Sequence, residues 1–282
     1  MNRRINTFII LIIIIINSLV ATESNLETPR QKRIRILTGT AILSVEYISG
    51  YALAYHIWWP EDFRKINSLS NIGEKEPFYV DDVIHAIGNA GSQEIHYQLM
   101  KHYFHIKSPW PSMLLTSLSW FSIEVLDAME KRNGWRFSVN DEIGNLLGVA
   151  FWYYKYQNPD SPIFLRLGIR QWENAGDYFS DLPLLITDRD KYGKEHNHDK
   201  YSILKTELIY KFYNDYYTGV AVSRYSAQSE DNAWGISIGY DVLKKLNRSN
   251  PSWTHSPLNF FLNNISMSIS FTFWMDKIIT LI

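Results

Sequence analysis

The residues best spaced for chemistry lie between Asp81 and His96. On a helix at 100° per residue, five polar side chains fall within about 80° of one another: Asp81, His85, Asn89, Ser92 and His96. Asp82 lies at the edge of this stripe. A carboxylate one turn before a histidine can fix its tautomer and raise its basicity, which suits a general base or a metal ligand. The alternative interpretation is that the stripe is the solvated side of an amphipathic helix.

Two carboxylates interrupt the otherwise apolar run from Leu114 to Met129. Glu124 and Asp127 are spaced i, i+3, so a helix would present both on one face. The two carboxylates lie either at the exposed edge of a helix contact or inside the protein core. Burial raises the pKa of a carboxyl group unless a cation or a hydrogen-bond donor compensates.

A third polar segment begins at Ser138, where Ser-Val-Asn-Asp forms a capping-box pattern. Ser138 is the expected N-cap, and Asp141 or Glu142 falls in the favourable first turn. Asn145 and Gly148 follow on the same face as Asp141. Both are poorer helix formers than alanine, so they indicate either close packing against another helix or a site.

Together, these three segments resemble the YfiM-like family of predicted periplasmic lipoproteins. The resemblance covers residues 40–158 and rests on Asp82 with His85, Glu124 with Asp127, and Phe137-Ser138 with Asp141, Asn145 and Gly148. More distantly, the same order of motifs is similar to VanZ-like membrane proteins, which are associated with the cell envelope and glycopeptide resistance. Two departures stand out: the lipidation cysteine of the family is missing, and Val83 stands where a lysine commonly follows the aspartate.

The resemblance implies a helical domain over residues 36–158 in which His85 meets five polar residues: Asp82, Glu124, Asp127, Asp141 and Asn145. Such a cluster could hold a divalent metal, with Asp82, His85 and Asp127 as candidate ligands, or perform acid–base hydrolysis of an envelope substrate. The competing hypothesis is a non-catalytic envelope protein whose polar network fixes helix packing and whose β region contacts a membrane or a partner. The sequence identifies no substrate, cofactor or oligomeric state.

Helical periodicity dominates the chain before residue 160. Ile36–Trp59 predicts a helix that is buried or lies on a membrane surface; a membrane span is the alternative, which Glu46 at its middle disfavours. Residues 60–79 are predicted to form a loop. Helical patterns then resume at three places: 81–105, 111–131 and 139–156.

Beyond Pro162 the pattern changes to a period of two, most clearly in Ile265–Trp274. Four other runs are predicted strands: Phe164–Gln171, Lys205–Tyr213, Thr218–Ser226 and Gly235–Val242. Asn214 and Asp215 are the expected turn of a hairpin. We therefore predict an α+β fold, with an N-terminal helical bundle followed by an antiparallel β region over residues 163–276. A small outer-membrane-type β-barrel in this C-terminal half is the alternative, although such barrels need at least eight strands of about ten residues.

Residues 1–21 are predicted to form a cleavable signal peptide. Arg3 and Arg4 give a positive start, Phe8–Ile16 is an unbroken run of nine apolar residues, and Ala21 offers a small residue for cleavage. As a helix this run reaches about 14 Å, short of the roughly 30 Å hydrocarbon core of a membrane. We therefore expect an exported protein of the periplasm or outer membrane. An uncleaved N-terminal anchor is the alternative, because Leu19 stands where a small residue is preferred.

Composition narrows the classes of function. The absence of cysteine excludes disulfides, thiolate metal sites, cysteine nucleophiles and the lipid-bearing cysteine of a lipoprotein. With 28 Lys and Arg against 29 Asp and Glu, the net charge of -1 gives no electrostatic reason to expect nucleic acid as a partner. Aromatic residues make up 15% of the chain, which favours membrane or envelope components as partners.

Overall fold

Four helices precede five strands in the computed structural model, which describes residues 27–57, 80–129, 137–170, 204–213, 216–226, 229–240 and 269–274. The predicted signal peptide and the predicted loop at 60–79 lie outside these ranges. The strands form one antiparallel sheet. The predicted α+β class, with an antiparallel sheet after the helices, is therefore confirmed.

The four helices are α1 (Pro29–Ile57), α2 (Val80–Tyr103), α3 (Trp110–Met129) and α4 (Val139–Gln157). The last three lie close to their predicted positions, whereas α1 begins seven residues before the predicted start at Ile36. The early start follows from a capping box in which the amide of Thr28 donates to Gln31 Oε1 over 3.0 Å and the amide of Gln31 donates to Thr28 Oγ1 over 3.3 Å. Pro29 then occupies the first helical position, where its missing N–H costs nothing. None of the helices in the described ranges has the length and apolar character needed to cross a membrane.

The N-terminus of α4 is capped as the sequence predicts. The Asp141 amide donates to Ser138 Oγ over 3.0 Å, and Asp141 and Glu142 fall in the first turn. Carboxylates at this end are stabilised by the helix dipole. The cap therefore fixes where α4 begins and which of its side chains share a face.

The sheet contains β1 (Ile163–Ile169), β2 (Leu204–Tyr213), β3 (Tyr216–Ser226), β4 (Ser229–Tyr240) and β5 (Ile269–Trp274), side by side in chain order. Each strand pairs antiparallel with the next. Pairing of Tyr213 with Tyr216 confirms the predicted hairpin around residues 214–215. β4 begins six residues before the predicted Gly235.

The chain divides into two compact units, and α2 contributes to both. The first unit contains α1, α2 from Ser92 onward, and α3. The second contains the beginning of α2, together with α4 and the sheet.

The first unit has an apolar core built on Leu43, Met100, Phe104 and Leu115. Tyr47 belongs to the same core, and Tyr51 lies one turn further along the same face of α1. Their rings stack with centroids 6.2 Å apart. Apolar packing thus surrounds two tyrosines whose hydroxyl groups need buried partners.

Candidate functional site

Two glycines allow α4 to approach the beginning of α2 closely. A Cβ atom at Gly144 would overlap the backbone oxygen of Asp82, and one at Gly148 would overlap the backbone oxygen of Ala86. The absence of a side chain at both positions brings the backbones together and places Asn145 between the two helices. This contact explains why poor helix formers occur inside α4.

Asn145 is the centre of a hydrogen-bonded cluster in the second unit. Its Oδ1 lies 3.1 Å from His85 Nδ1 and also accepts a hydrogen bond from Asn89 Nδ2. Its Nδ2 donates to Glu142 Oε2 over 3.3 Å. Asn89 and Asn145 are buried, so this amide pair has a fixed orientation.

The hydrogen bonds of Asn145 determine the tautomer of His85. Because Asn145 Oδ1 is an acceptor, His85 Nδ1 carries the proton, and the lone pair of the neutral ring lies on Nε2. Nε2 faces Asp141 Oδ1 at a distance of 3.8 Å. The side chains of His85 and Asp141 are 19% and 20% exposed, so an ion or a small molecule can reach them.

Glu142 adds a second carboxyl group to this cluster. Partial burial raises the pKa of Glu142, while the hydrogen bond from Asn145 and the nearby charge of His85 act in the opposite direction. The cluster therefore combines one imidazole and two carboxyl groups around a buried amide. Such a set can bind a divalent cation or transfer a proton.

The first unit contains a separate polar cluster around His96. His96 Nδ1 lies 2.7 Å from Thr116 Oγ1, which in turn lies 2.7 Å from Gln93 Oε1. Gln93 Nε2 donates to Ser112 Oγ over 2.8 Å. On the other side of the ring, Nε2 lies 3.3 Å from Glu46 Oε1. Both ring nitrogens of His96 therefore face an oxygen atom of a neighbouring side chain.

The two tyrosines of α1 extend this second cluster towards α3. The hydroxyl of Tyr47 is hydrogen-bonded to Ser119 Oγ, and that of Tyr51 to Ser122 Oγ. Burial raises the pKa of Tyr47 far above its ordinary value, and burial also raises that of Tyr51. Four members of the cluster around His96 are buried, namely His96, Gln93, Thr116 and Ser112, while the side chain of Glu46 is 34% exposed.

The structure brings three of the residues predicted from sequence together: His85, Asp141 and Asn145. Asp82 is buried on α2 one turn before the histidine, and Glu124 is buried on α3 in the first unit. The side chain of Asp127 lies outside the described part of the chain. The interpretation of the stripe as a solvated face is wrong at Asn89 and His96, since both are buried.

Sequence reasoning missed Glu142 and the partners of His96. A signal for the latter is present on α3, where Ser112, Thr116 and Ser119 follow one another at helical spacing in an apolar helix. Gln93 lies four residues after Asn89 and three before His96, on the same side of α2. Matching these two polar stripes would have predicted a buried network between the helices.

Comparison of the chain with models of known protein families, with curated proteins and with solved structures finds no match.

Proposed function

We propose that this chain is an exported cell-envelope protein whose second unit binds a divalent cation at His85 and Asp141 and hydrolyses an envelope substrate with the help of that ion. The observation that carries the proposal is the orientation of His85, whose Nδ1 is engaged by Asn145 while Nε2 faces a carboxylate. Ring-nitrogen donation to a neighbouring oxygen is the usual way in which proteins orient a metal-binding histidine.

The spacing of the two candidate ligand atoms supports a cation between them. Metal–nitrogen and metal–oxygen bonds of about 2.1 Å place two ligands of a tetrahedral zinc ion roughly 3.4 Å apart. His85 Nε2 and Asp141 Oδ1 are 3.8 Å apart, so a small inward adjustment would suffice. When bound, such an ion would supply an activated water molecule, and Glu142 offers a carboxyl group to accept a proton.

Export and the family resemblance are the sequence arguments for the envelope setting. The predicted signal peptide at residues 1–21 directs the chain out of the cytoplasm, to the periplasm or the outer membrane. The resemblance to YfiM-like and VanZ-like proteins points to the same compartment. It also names Glu124 and Asp127, whose part in any function stays a prediction.

Titration calorimetry of the purified chain with Zn²⁺ and with Mn²⁺ tests the cation site. We expect His85→Gln and Asp141→Asn each to weaken binding at least about tenfold, because even partners of metal ligands contribute 10–100-fold. His102→Gln and Asp160→Asn are matched controls, since both side chains are exposed, and they should bind as the unaltered chain does. Absence of binding, or equal loss in the controls, would contradict the proposal.

A non-catalytic role is the second candidate, and the cluster around His96 favours it. A network whose histidine, glutamine, threonine and serine are all buried fixes helix packing without any contact to a substrate. The two candidate functions predict different results when variants are expressed in a host strain that lacks the protein. If His85→Gln restores a normal envelope as well as the unaltered chain does, the role is non-catalytic; if it folds and fails to restore the envelope, the site is functional.

A further inference from the structure

The two faces of the sheet have polarities opposite to those of a sheet that meets water. On β2, the buried residues Lys205, Glu207 and Lys211 alternate with the exposed residues Leu208 and Tyr210. A sheet with one solvated face turns its apolar side chains inward and its polar side chains outward. On β2, the charged side chains are enclosed together with Ile209, whereas Leu208 and Tyr210 are open.

The enclosed charges have specific partners. Lys205 Nζ donates to Glu207 Oε1 over 3.0 Å and to Thr272 Oγ1 over 2.7 Å. The guanidinium group of Arg166 lies over the ring of Tyr217, 4.7 Å from its centroid. Because buried charges are tolerated only when they are paired, this face is built to be the interior.

The strand register joins the exposed side chains into a continuous surface. Leu208 pairs with Val220, Val220 with Ile236, and Ile236 with Phe273, which gives one apolar row across four strands. At about 4.8 Å between strands, the row extends about 14 Å. We call the side of the sheet that carries this row the apolar face. The described side chains of β2 to β5 place no charge on it.

Aromatic residues border the apolar face along the strands. Tyr213 and Tyr216 are exposed at the β2–β3 hairpin, and the ring of Tyr216 lies 4.9 Å from that of Tyr240. Trp234 is exposed further along β4, about 20 Å from Tyr240 in an extended strand. Tyrosine and tryptophan are enriched where hydrocarbon meets headgroups.

We propose that the apolar face lies against the acyl chains of a lipid bilayer, with the aromatic border at the level of the headgroups. Interfaces between proteins carry a polar rim and about one hydrogen bond per 100–200 Å². Val220, Ile236 and Phe273, in the middle of the face, offer no hydrogen-bonding side chain, whereas hydrocarbon requires none. This inference goes beyond the cation site and does not depend on it.

Fluorescence quenching by brominated lipids tests the contact directly. The full chain is reconstituted into phosphatidylcholine vesicles with brominated acyl chains and compared with Trp234→Phe. We expect the bromines to quench the emission of the unaltered chain more than that of Trp234→Phe. Trp152→Phe is the matched control, because Trp152 is 2% exposed and its removal should leave the quenched emission unchanged. If Trp234→Phe is quenched as strongly as the unaltered chain, the proposal fails.

Vesicle flotation tests the energetic contribution of the face. Val220→Lys and Ile236→Lys place a charge in its middle and should each reduce the vesicle-bound fraction at least about tenfold. Gln157→Lys adds the same charge at an exposed position on α4 and should float as the unaltered chain does. Unchanged flotation of the two sheet variants would overturn the proposal. So would a lipid-free dimer that Ile236→Lys converts to a monomer, since a second copy would then cover the face.

Discussion

His85 and His96 lie on the same helix, three turns apart, yet their surroundings differ in kind. Both ring nitrogens of His96 face partners inside the first unit, and its side chain is 3% exposed. His85 is held through Nδ1 by Asn145, while Nε2 faces Asp141 at the accessible side of the second unit. One histidine is therefore a structural element, and the other is placed where it can meet a ligand.

The contrast shows that residues of one polar stripe on a helix can have different environments and different roles. Its spacing puts the residues on one side of α2, but the neighbouring helix decides what each of them contacts. At His96 the stripe packs against α3, where the hydroxyl group of Thr116 is its hydrogen-bond partner. Next to Asp141 it meets the first turn of α4, where carboxylates collect at a helix N-terminus.

The largest effect should come from removing each histidine in turn. His96→Ala removes the hydrogen bond to Thr116 and the contact with Glu46 and opens a cavity at a buried position, so we expect the free energy of unfolding to fall by about 3 kcal/mol. His85→Ala removes the hydrogen bond to Asn145 at a partly exposed position and should cost about 1 kcal/mol. Chemical denaturation of the purified chain, followed by tryptophan fluorescence, measures both values.

Equal losses in the two variants would remove the distinction between a structural and an accessible histidine. His102→Ala is the control for both, because His102 is exposed, and its effect should stay within about 0.5 kcal/mol.

A second prediction concerns the approach of α4 to α2. Gly148→Ala would place a methyl group on the backbone oxygen of Ala86 and should lower the free energy of unfolding by about 2 kcal/mol. It should also weaken cation binding, because it moves Asn145 away from His85. Gly50→Ala is the matched control, since nothing lies near its added Cβ on α1, and it should stabilise the chain by up to about 1 kcal/mol. If Gly148→Ala also stabilises the chain, the close approach is not required.

The smallest effect is expected from pH. Burial raises the pKa of Tyr47 above the ordinary value of 10.0, so above pH 10 the unfolded chain loses this proton while the folded chain keeps it. The stabilising contribution is therefore complete below pH 10 and declines as the pH rises further. Tyr47→Phe should reduce this decline by up to about 1.4 kcal/mol per pH unit in denaturation experiments between pH 9 and 11.

Leu43→Ala is the non-titrating control for this experiment. Leu43 belongs to the same core, and its replacement should lower stability equally at every pH. A pH dependence in Tyr47→Phe that matches the unaltered chain would show that Tyr47 is not the group responsible.

Much of the fold could be predicted where local signals agree with tertiary structure. Ser138 predicted the start of α4, and the turn at residues 214–215 predicted the pairing of β2 with β3. The start of α1 was missed because the apolar pattern begins at Ile36, although Thr28 and Gln31 carry the capping signal. The first residues of β4 lack alternation, and only their pairing with β3 makes them a strand.

The candidate site was predictable in its members and not in its surroundings. Spacing on one helix selected His85, and spacing on another selected Asp141 with Asn145. Only the family resemblance predicted that these residues meet. Burial of Asn89 could not be read from its own helix, since periodicity does not say whether a face meets water or another helix. Gly144 was the missing clue, because a residue without a side chain indicates a neighbour at close range.

The alternation on β2 also constrains how the sheet assembles. A slip of one residue in its pairing would turn Lys205 and Glu207 outward and Leu208 inward. In such a misaligned sheet, charged side chains would lie on the apolar face, and apolar side chains would lie among the charged residues of the other face. The error would therefore be unfavourable on both faces of the sheet. The alternation along β2 therefore specifies the register of its pairing.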